Sequence, residues 1–358
     1  MEVTTDFPGG NIDIVETKGN TVKVKPQMRD TEGDWFYWAF CVSGAAGQTY
    51  TFDFSPYGYI GYHGPAVSSN LKEWRWAGGN DNAYSFKYAF GEHENSSYFA
   101  HDMLYGTERF YSFAEQMNFK PECLCLSEKN GDVPFVCFGE GENTILLTAR
   151  HHCCESTGSY ILEGVLEELA RNPIPNLRVI AVPFVDFDGV NNGDQGKNRI
   201  PHDHNRDYGD NPIYASVKAI KDIVAREKIR YAFDFHSPWH TGGRNDKLFF
   251  VRGSDKDMSK YISLGEMLQK ETGVSSFKYN PANDINPGEE WNTRGNGLPV
   301  SFAAFCAEYQ GVKLALTIET PYFGGKDDIV SQDKLIRTGH AFARSVKEYD
   351  KINTGDKT

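Results

Sequence analysis

Two histidines, two cysteines and a glutamate fall together in His151-His152-Cys153-Cys154-Glu155, between an apolar run and an amphipathic one. In a turn of helix, residues three apart share a face, so the His152 imidazole and the Glu155 carboxylate can converge on one ion. Zinc accepts this mixed nitrogen and oxygen set, and catalytic zinc usually keeps three protein ligands and one open position for water. The best third ligand is His236 in Asp234-Phe235-His236, far enough along the chain for a full β-α-β excursion, and Asp234 can orient a ring through its second nitrogen. His151 is a competing ligand. A cysteine acting as ligand or nucleophile is another alternative, but adjacent helical residues point about 100° apart, so only one could face the metal. Packing as small apolar side chains is the preferred reading for Cys153 and Cys154.

Beyond residue 115, strands alternate with helices. The apolar runs NTILLTARHH, LRVIAVPFV, RYAFDFHS, KLFFVRG and KLALTIETPYF read as strands. GSYILEGVLEELARN carries Ile161, Leu162, Val165, Leu166 and Leu169 on one helical face, and three further helices are expected in IYASVKAIKDIVAREK, MSKYISLGEMLQKETG and QDKLIRTGHAFARSVKEYDKI. The pattern predicts an α/β domain with a mixed, mostly parallel sheet over residues 116–352 and a loose tail at 353–358. Function collects at the carboxyl ends of such strands. That places residues 151–155, DHNRDY at 203–208, DFHSPWH at 234–240 and Glu319 at one edge. Residues 1–115 differ: short aromatic or β-branched runs (NTVKVKPQ, DWFYWAFCVSG, QTYTFDFS, SSYFAHDM) separated by Gly, Asn and Asp predict an antiparallel β-sandwich. Its aromatic rings are expected to fill a small core rather than form a binding face.

The 358 residues, 39% hydrophobic and 14% aromatic, suffice for two packed domains. A net charge of −12 argues against nucleic acid as a partner, because phosphate binding needs clustered Lys and Arg. No apolar run approaches the roughly 18–20 residues that cross a bilayer, and the first residues lack a basic and apolar leader. A soluble, cytoplasmic protein is expected, or a secreted or periplasmic one if a leader has been removed. Seven cysteines, an odd number, suggest free thiols, with ECLC at 122–125 the place where one bridge could form.

The order and spacing of these segments resemble the zinc carboxypeptidase family, and within it the cytosolic-carboxypeptidase-like members. ARHHCCE is similar to the family's His-x-x-Glu at a strand end. VDFDGVNNG and DHNRDY resemble its Asn-Pro-Asp-Gly-Val and Asp-Leu-Asn-Arg, DFH its Asp-Leu-His, and TIE its Thr-x-Glu. FPGGNIDIV, DWFYWAFCVSGAAG and YGYIGYHGPAVSSNLKEWRW resemble the β-sandwich that precedes the catalytic domain, so the likeness spans nearly the whole chain. The resemblance implies hydrolysis of the C-terminal peptide bond of peptides or proteins. It implies one zinc per chain on His152, Glu155 and His236, Glu319 as general base, and Asn205 and Arg206 holding the substrate carboxylate. It implies Arg199 facing the carbonyl oxygen, with Lys197 the competitor. The residue types suit those roles: a carboxylate can move a proton between water and a leaving amine, and a guanidinium fork matches a carboxylate.

Where acid-selective members carry an arginine upstream of the general base, this chain has Ala304. Alanine leaves space and no charge, so neutral or aromatic C-terminal side chains are expected unless Arg244 or Arg294 supplies a charge. Two other functions fit the same residues: a zinc amidohydrolase acting on N-acyl amino acids or cell-wall peptides, and an inert binding protein that uses its sandwich. The intact His-x-x-Glu, His and Glu set counts against the last.

Overall fold

Side chains along a strand alternate between faces, and short strands with every second residue buried build the first domain. In the computed structural model, which describes residues 1–79, 82–273, 275–292, 300–326 and 328–354, nine strands make two sheets. They are β1 (Glu2–Thr4), β2 (Asp13–Lys18), β3 (Thr21–Lys25), β4 (Ala39–Ser43), β5 (Thr49–Asp53), β6 (Ala66–Ser68), β7 (Arg75–Trp76), β8 (Ser85–Ala89) and β9 (Ser96–Ala100). One sheet runs β1-β4-β9-β6-β7 and the other β2-β3-β5-β8, antiparallel apart from the pairing of β3 with β5. Trp38, Phe40, Phe52, Phe54, Phe86 and Phe99 are buried between them, so most of the aromatic load is core. Residues 35–38, expected in a strand, lie outside it. The Tyr37 N–H donates to the Gln195 side-chain oxygen at 2.9 Å and the Gln195 amide donates back to the Tyr37 carbonyl at 2.8 Å, so a side chain replaces the strand neighbour.

Helix α1 (Thr107–Gln116) follows, inside the stretch expected to be all-β. It packs on the second domain, where Arg109 donates to both carboxylate oxygens of Glu163. That domain is a sheet of β10 (Glu122–Leu126), β11 (Asp132–Phe138), β12 (Asn143–Ala149), β13 (Leu177–Val182), β14 (Ile229–His236), β15 (Phe249–Arg252) and β16 (Leu314–Glu319), in the order β10-β11-β13-β12-β14-β16-β15. The four central strands are parallel and the outer three antiparallel. Helices α2 (Ser156–Arg171), α3 (Phe187–Asn192), α4 (Ala215–Arg226), α5 (Met258–Glu271), α6 (Phe302–Glu308) and α7 (Gln332–Thr354) complete it, and α7 extends into the expected tail. The ECLC segment lies in β10, with its thiols free.

The central strands are apolar on both faces because both are covered, and residue parity decides which face a side chain joins. Ile145, Leu147, Tyr231, Phe233, Phe235, Leu314, Leu316 and Ile318 share a core with α2, α5 and α7. Leu146, Ala232 and Ala315 share one with α4 and α6. The opposite parity at the carboxyl ends brings Thr148, Asp234, His236 and Glu319 to the α4/α6 face, with Thr148 opposite Asp234 and His236 opposite Glu319 in register. Helix α2 approaches β14 through Gly158: a Cβ there would sit 2.7 Å from the Phe235 carbonyl oxygen and 3.0 Å from the His236 nitrogen. Among the described residues, no helix is long and apolar enough to cross a membrane.

Candidate active site

Strand β12 is followed by Arg150, a non-glycine residue at φ +62°. Such left-handed backbone is strained and persists only where neighbours enforce it. Here the buried guanidinium donates to the Cys153 and Tyr105 carbonyls at 2.8 and 2.7 Å. The chain then forms a turn closed by the Glu155 N–H on the His152 carbonyl at 3.2 Å. The His-x-x-Glu pair is therefore carried by a turn, not the expected helix, with Glu155 at the N-cap of α2.

The Glu155 side chain does not cap its helix, which leaves both oxygens for the site. Oε1 meets Nδ1 of His152 at 2.9 Å and the Lys197 ammonium; Oε2 meets Nδ1 of His236 at 2.7 Å and the Ser237 N–H at 3.1 Å. One donor atom from each of His152, Glu155 and His236 lies within 4.8 Å of the others. Each ring has a carboxylate at its far nitrogen: Asp234 is 2.6 Å from His236 Nε2, and Asp203 is 3.5 Å from His152 Nε2. A carboxylate as close as Asp234 fixes the tautomer of the His236 ring and leaves its Nδ1 for a metal. Burial alone would lower the pKa of His236, but the Asp234 and Glu155 carboxylates outweigh it and hold it well above the usual value. Two imidazole nitrogens and one carboxylate therefore converge, a mixed donor set that zinc accepts.

His151 takes no part in this set. Its Nδ1 is 2.8 Å from Asp234, which also accepts from the Thr148 hydroxyl at 2.8 Å, and its Nε2 is 2.7 Å from the Tyr208 hydroxyl. With both nitrogens occupied in a fully buried ring, it buttresses Asp234 instead.

Glu319 stands beside His236 at the end of β16. Burial, reinforced by the negative charge of Glu155, pushes its pKa up to about 7, and Oε2 is buried without a hydrogen-bond partner among the described residues. Glu319, His152 and His236 line a cavity of about 510 Å³, which has room for a reacting water. Asn205 and Arg206 lie on its wall; the Asn205 oxygen accepts the Phe302 N–H of α6 at 3.0 Å, which fixes the amide. Ala304 lies on the wall as well, with Glu308 one turn further along α6. Sequence reasoning passed over Glu308 and gave Asp203 and Tyr208, within DHNRDY, no role of their own. Asp203 opens the DHNR segment and was legible by position, whereas Glu308 gave no signal.

Arg199 requires a correction. It is held by Asp30 at 3.0 Å, Asp186 at 2.8 Å and Asp194 at 3.4 Å, none of them in the ligand set. Three carboxylates around a buried guanidinium make it a structural cation. The cation brought to Glu155 is that of Lys197, which also feels the charge of Glu319. Arg244 pairs with Glu290 on the surface and does not line the cavity, and Arg294 lies outside the described residues. Cys153 and Cys154 are buried; burial pushes the Cys154 thiol up to about 12 and Cys153 well above its usual value, so neither offers a thiolate.

Residues 3–101 match the family model of the cytosolic carboxypeptidase N-terminal domain. A metallo-carboxypeptidase from Burkholderia cenocepacia superposes with a TM-score of 0.81 at 16% identity, covering 99% of each chain. A metallo-carboxypeptidase from Pseudomonas aeruginosa, solved in complex with (2-guanidinoethylmercapto)succinic acid, gives 0.77 at 16% identity, again over 99% of each. An uncharacterized protein of Zymomonas mobilis is 26% identical over 257 residues, covering 66% of this chain and 67% of that protein. These findings bear out the sandwich-plus-α/β architecture and the resemblance to the cytosolic-carboxypeptidase-like metallo-carboxypeptidases.

Proposed function

We propose that this chain, with the N-terminal domain of the cytosolic carboxypeptidases and the fold of the metallo-carboxypeptidases, is a zinc carboxypeptidase that removes C-terminal residues from peptides or proteins. The observation that carries the reading is the convergence of His152 Nδ1, His236 Nδ1 and the Glu155 carboxylate beside a cavity that His152, His236 and Glu319 line, with one oxygen of Glu319 unpartnered among the described residues. The donor set suits zinc, which when bound would polarise the scissile carbonyl and bring the pKa of a bound water toward neutrality.

Arg206, with the Asn205 amide fixed beside it, seats the terminal carboxylate of the substrate. The last side chain enters the cavity along Ala304. Glu319 accepts a proton from the attacking water at Oε2 and returns it to the departing amine. Lys197, buried beside Glu155, supplies the positive charge for the oxyanion, the role expected of Arg199.

The test is a pair of peptides that differ only in the C-terminus, one a free acid and one an amide, followed by mass spectrometry with and without chelator. The acid should lose its last residue only without chelator, and the amide should stay intact, since it offers no carboxylate to Arg206. Equal cleavage of both peptides, or none of either, would refute the proposal.

A further inference from the structure

We infer that Trp35 of the β-sandwich and Trp239 of the catalytic domain form an aromatic subsite for the peptide just upstream of the scissile bond. This rests on the carboxypeptidase reading. Trp239 follows His236 by three residues, and the residue is 49% exposed, unusual for so large an apolar group. The half-buried Trp35 ring lies 5.2 Å from it at 62°, so the two faces make a corner. Phe36, fully buried, props Trp239 edge-on at 5.1 Å. The corner is continuous with the reactive groups: Lys197, which pairs with Glu155, holds its ammonium 5.5 Å from the Trp35 ring.

Neither tryptophan lines the cavity. With the last residue in that cavity and its carboxylate on Arg206, the preceding chain has to leave past the groups around Glu155, from which Lys197 leads directly to the Trp35 and Trp239 corner. The loop bearing Trp35 is locked in register with the loop bearing Lys197. The Thr31 hydroxyl donates to the Lys197 carbonyl at 2.6 Å, and the Glu32 N–H donates to the Asn198 carbonyl at 3.2 Å. The Asp30 carboxylate accepts the Gln195 and Gly196 N–H groups at 2.9 and 2.8 Å. The sandwich thus contributes a wall of the active site, not only a neighbouring fold. The corner fits an apolar or aromatic side chain, and the exposed Glu32 and Asp34 of the same loop disfavour an acidic one.

The test uses N-acetylated tetrapeptides with one common C-terminal residue and Phe, Gly or Glu at the two preceding positions. Wild type should favour Phe over Gly by about 3- to 10-fold in kcat/KM, the range for an aromatic contact, and disfavour Glu. In Trp35→Ala and in Trp239→Ala the Phe-to-Gly ratio should fall toward one. Because the ratio is taken within each protein, a loss of folded enzyme cancels. Equilibrium binding of the same peptides to chelated protein, where nothing is cut, should show the same ratios. Cleavage with no Phe preference in wild type, or a preference unchanged in both variants, overturns this inference alone. If wild type cuts none of the peptides, the carboxypeptidase reading falls and this inference with it.

Discussion

Gly158→Ala tests how the fold holds the proposed ligands. Gly158 lies on α2, one turn after Glu155, and faces the backbone of β14 at His236. An added Cβ would sit 2.7 Å from the Phe235 oxygen, 2.8 Å from its carbonyl carbon and 3.0 Å from the His236 nitrogen. Ordinary contact begins near 3.4 Å, so α2 must draw back from β14 by roughly 0.7 Å, since packed backbone does not yield as a surface side chain does. Glu155 travels with α2 and His236 with β14, so their 2.7 Å approach opens by a similar distance. Overpacking of this kind costs about 1–3 kcal/mol, which for a chain of this length lowers Tm by about 1–4 °C. The expected signature is that loss together with a zinc affinity at least about tenfold weaker, measured by calorimetry and competition with a chelator. An unobstructed helical glycine would instead gain about 0.5–1 kcal/mol on change to Ala. A Tm that rises, or zinc affinity that stays at the wild-type value, refutes the packing argument.

Removing Arg199 and removing Lys197 should fail differently. Arg199→Met strands the carboxylates of Asp30, Asp186 and Asp194 and should cost about 3–5 kcal/mol in urea unfolding, whereas Lys197→Met should lower kcat with a smaller loss of stability. Acid should loosen the junction of the domains, where the His101 and His240 rings lie 4.9 Å apart between Phe36 and Phe323. Burial pushes the pKa of His240 down to about 4, so the folded state prefers it neutral. That contribution is complete above the unfolded value near 6.5 and is lost as pH falls from there toward 4. Unfolding at pH 7 and pH 5 should differ by about 2 kcal/mol from His240 alone, and His240→Leu should flatten that slope. Ala304→Arg should tilt kcat/KM toward peptides ending in Glu or Asp, because burying such a carboxylate without a partner costs several kcal/mol; unchanged ratios would mean that position 304 does not read the last side chain.

The parallel strands were legible because burial on both faces leaves continuous apolar runs. The candidate site was legible because Asp234, His236 and Glu319 interrupt such runs at their carboxyl ends, where packing alone would favour another apolar residue. The segment at 35–38 reads as strand by composition, yet the Gln195 side chain takes its backbone groups, and a partner so distant in sequence leaves no local trace. The same holds for Arg199: nothing near GKNRI announces Asp30 from the other domain. Helix α6 is too short for its period to stand out, and α1 lies in a stretch whose strands dominate the pattern.

Zinc content of wild type, His236→Ala and Glu319→Gln is the most direct test of the central claim that His152, Glu155 and His236 hold the catalytic metal while Glu319 moves the proton. Wild type and Glu319→Gln should each carry one zinc per chain, with kcat of the latter lower by roughly 10²–10⁴. His236→Ala should fall well below one. Stoichiometric zinc in His236→Ala, or near-normal turnover in Glu319→Gln, would contradict the account.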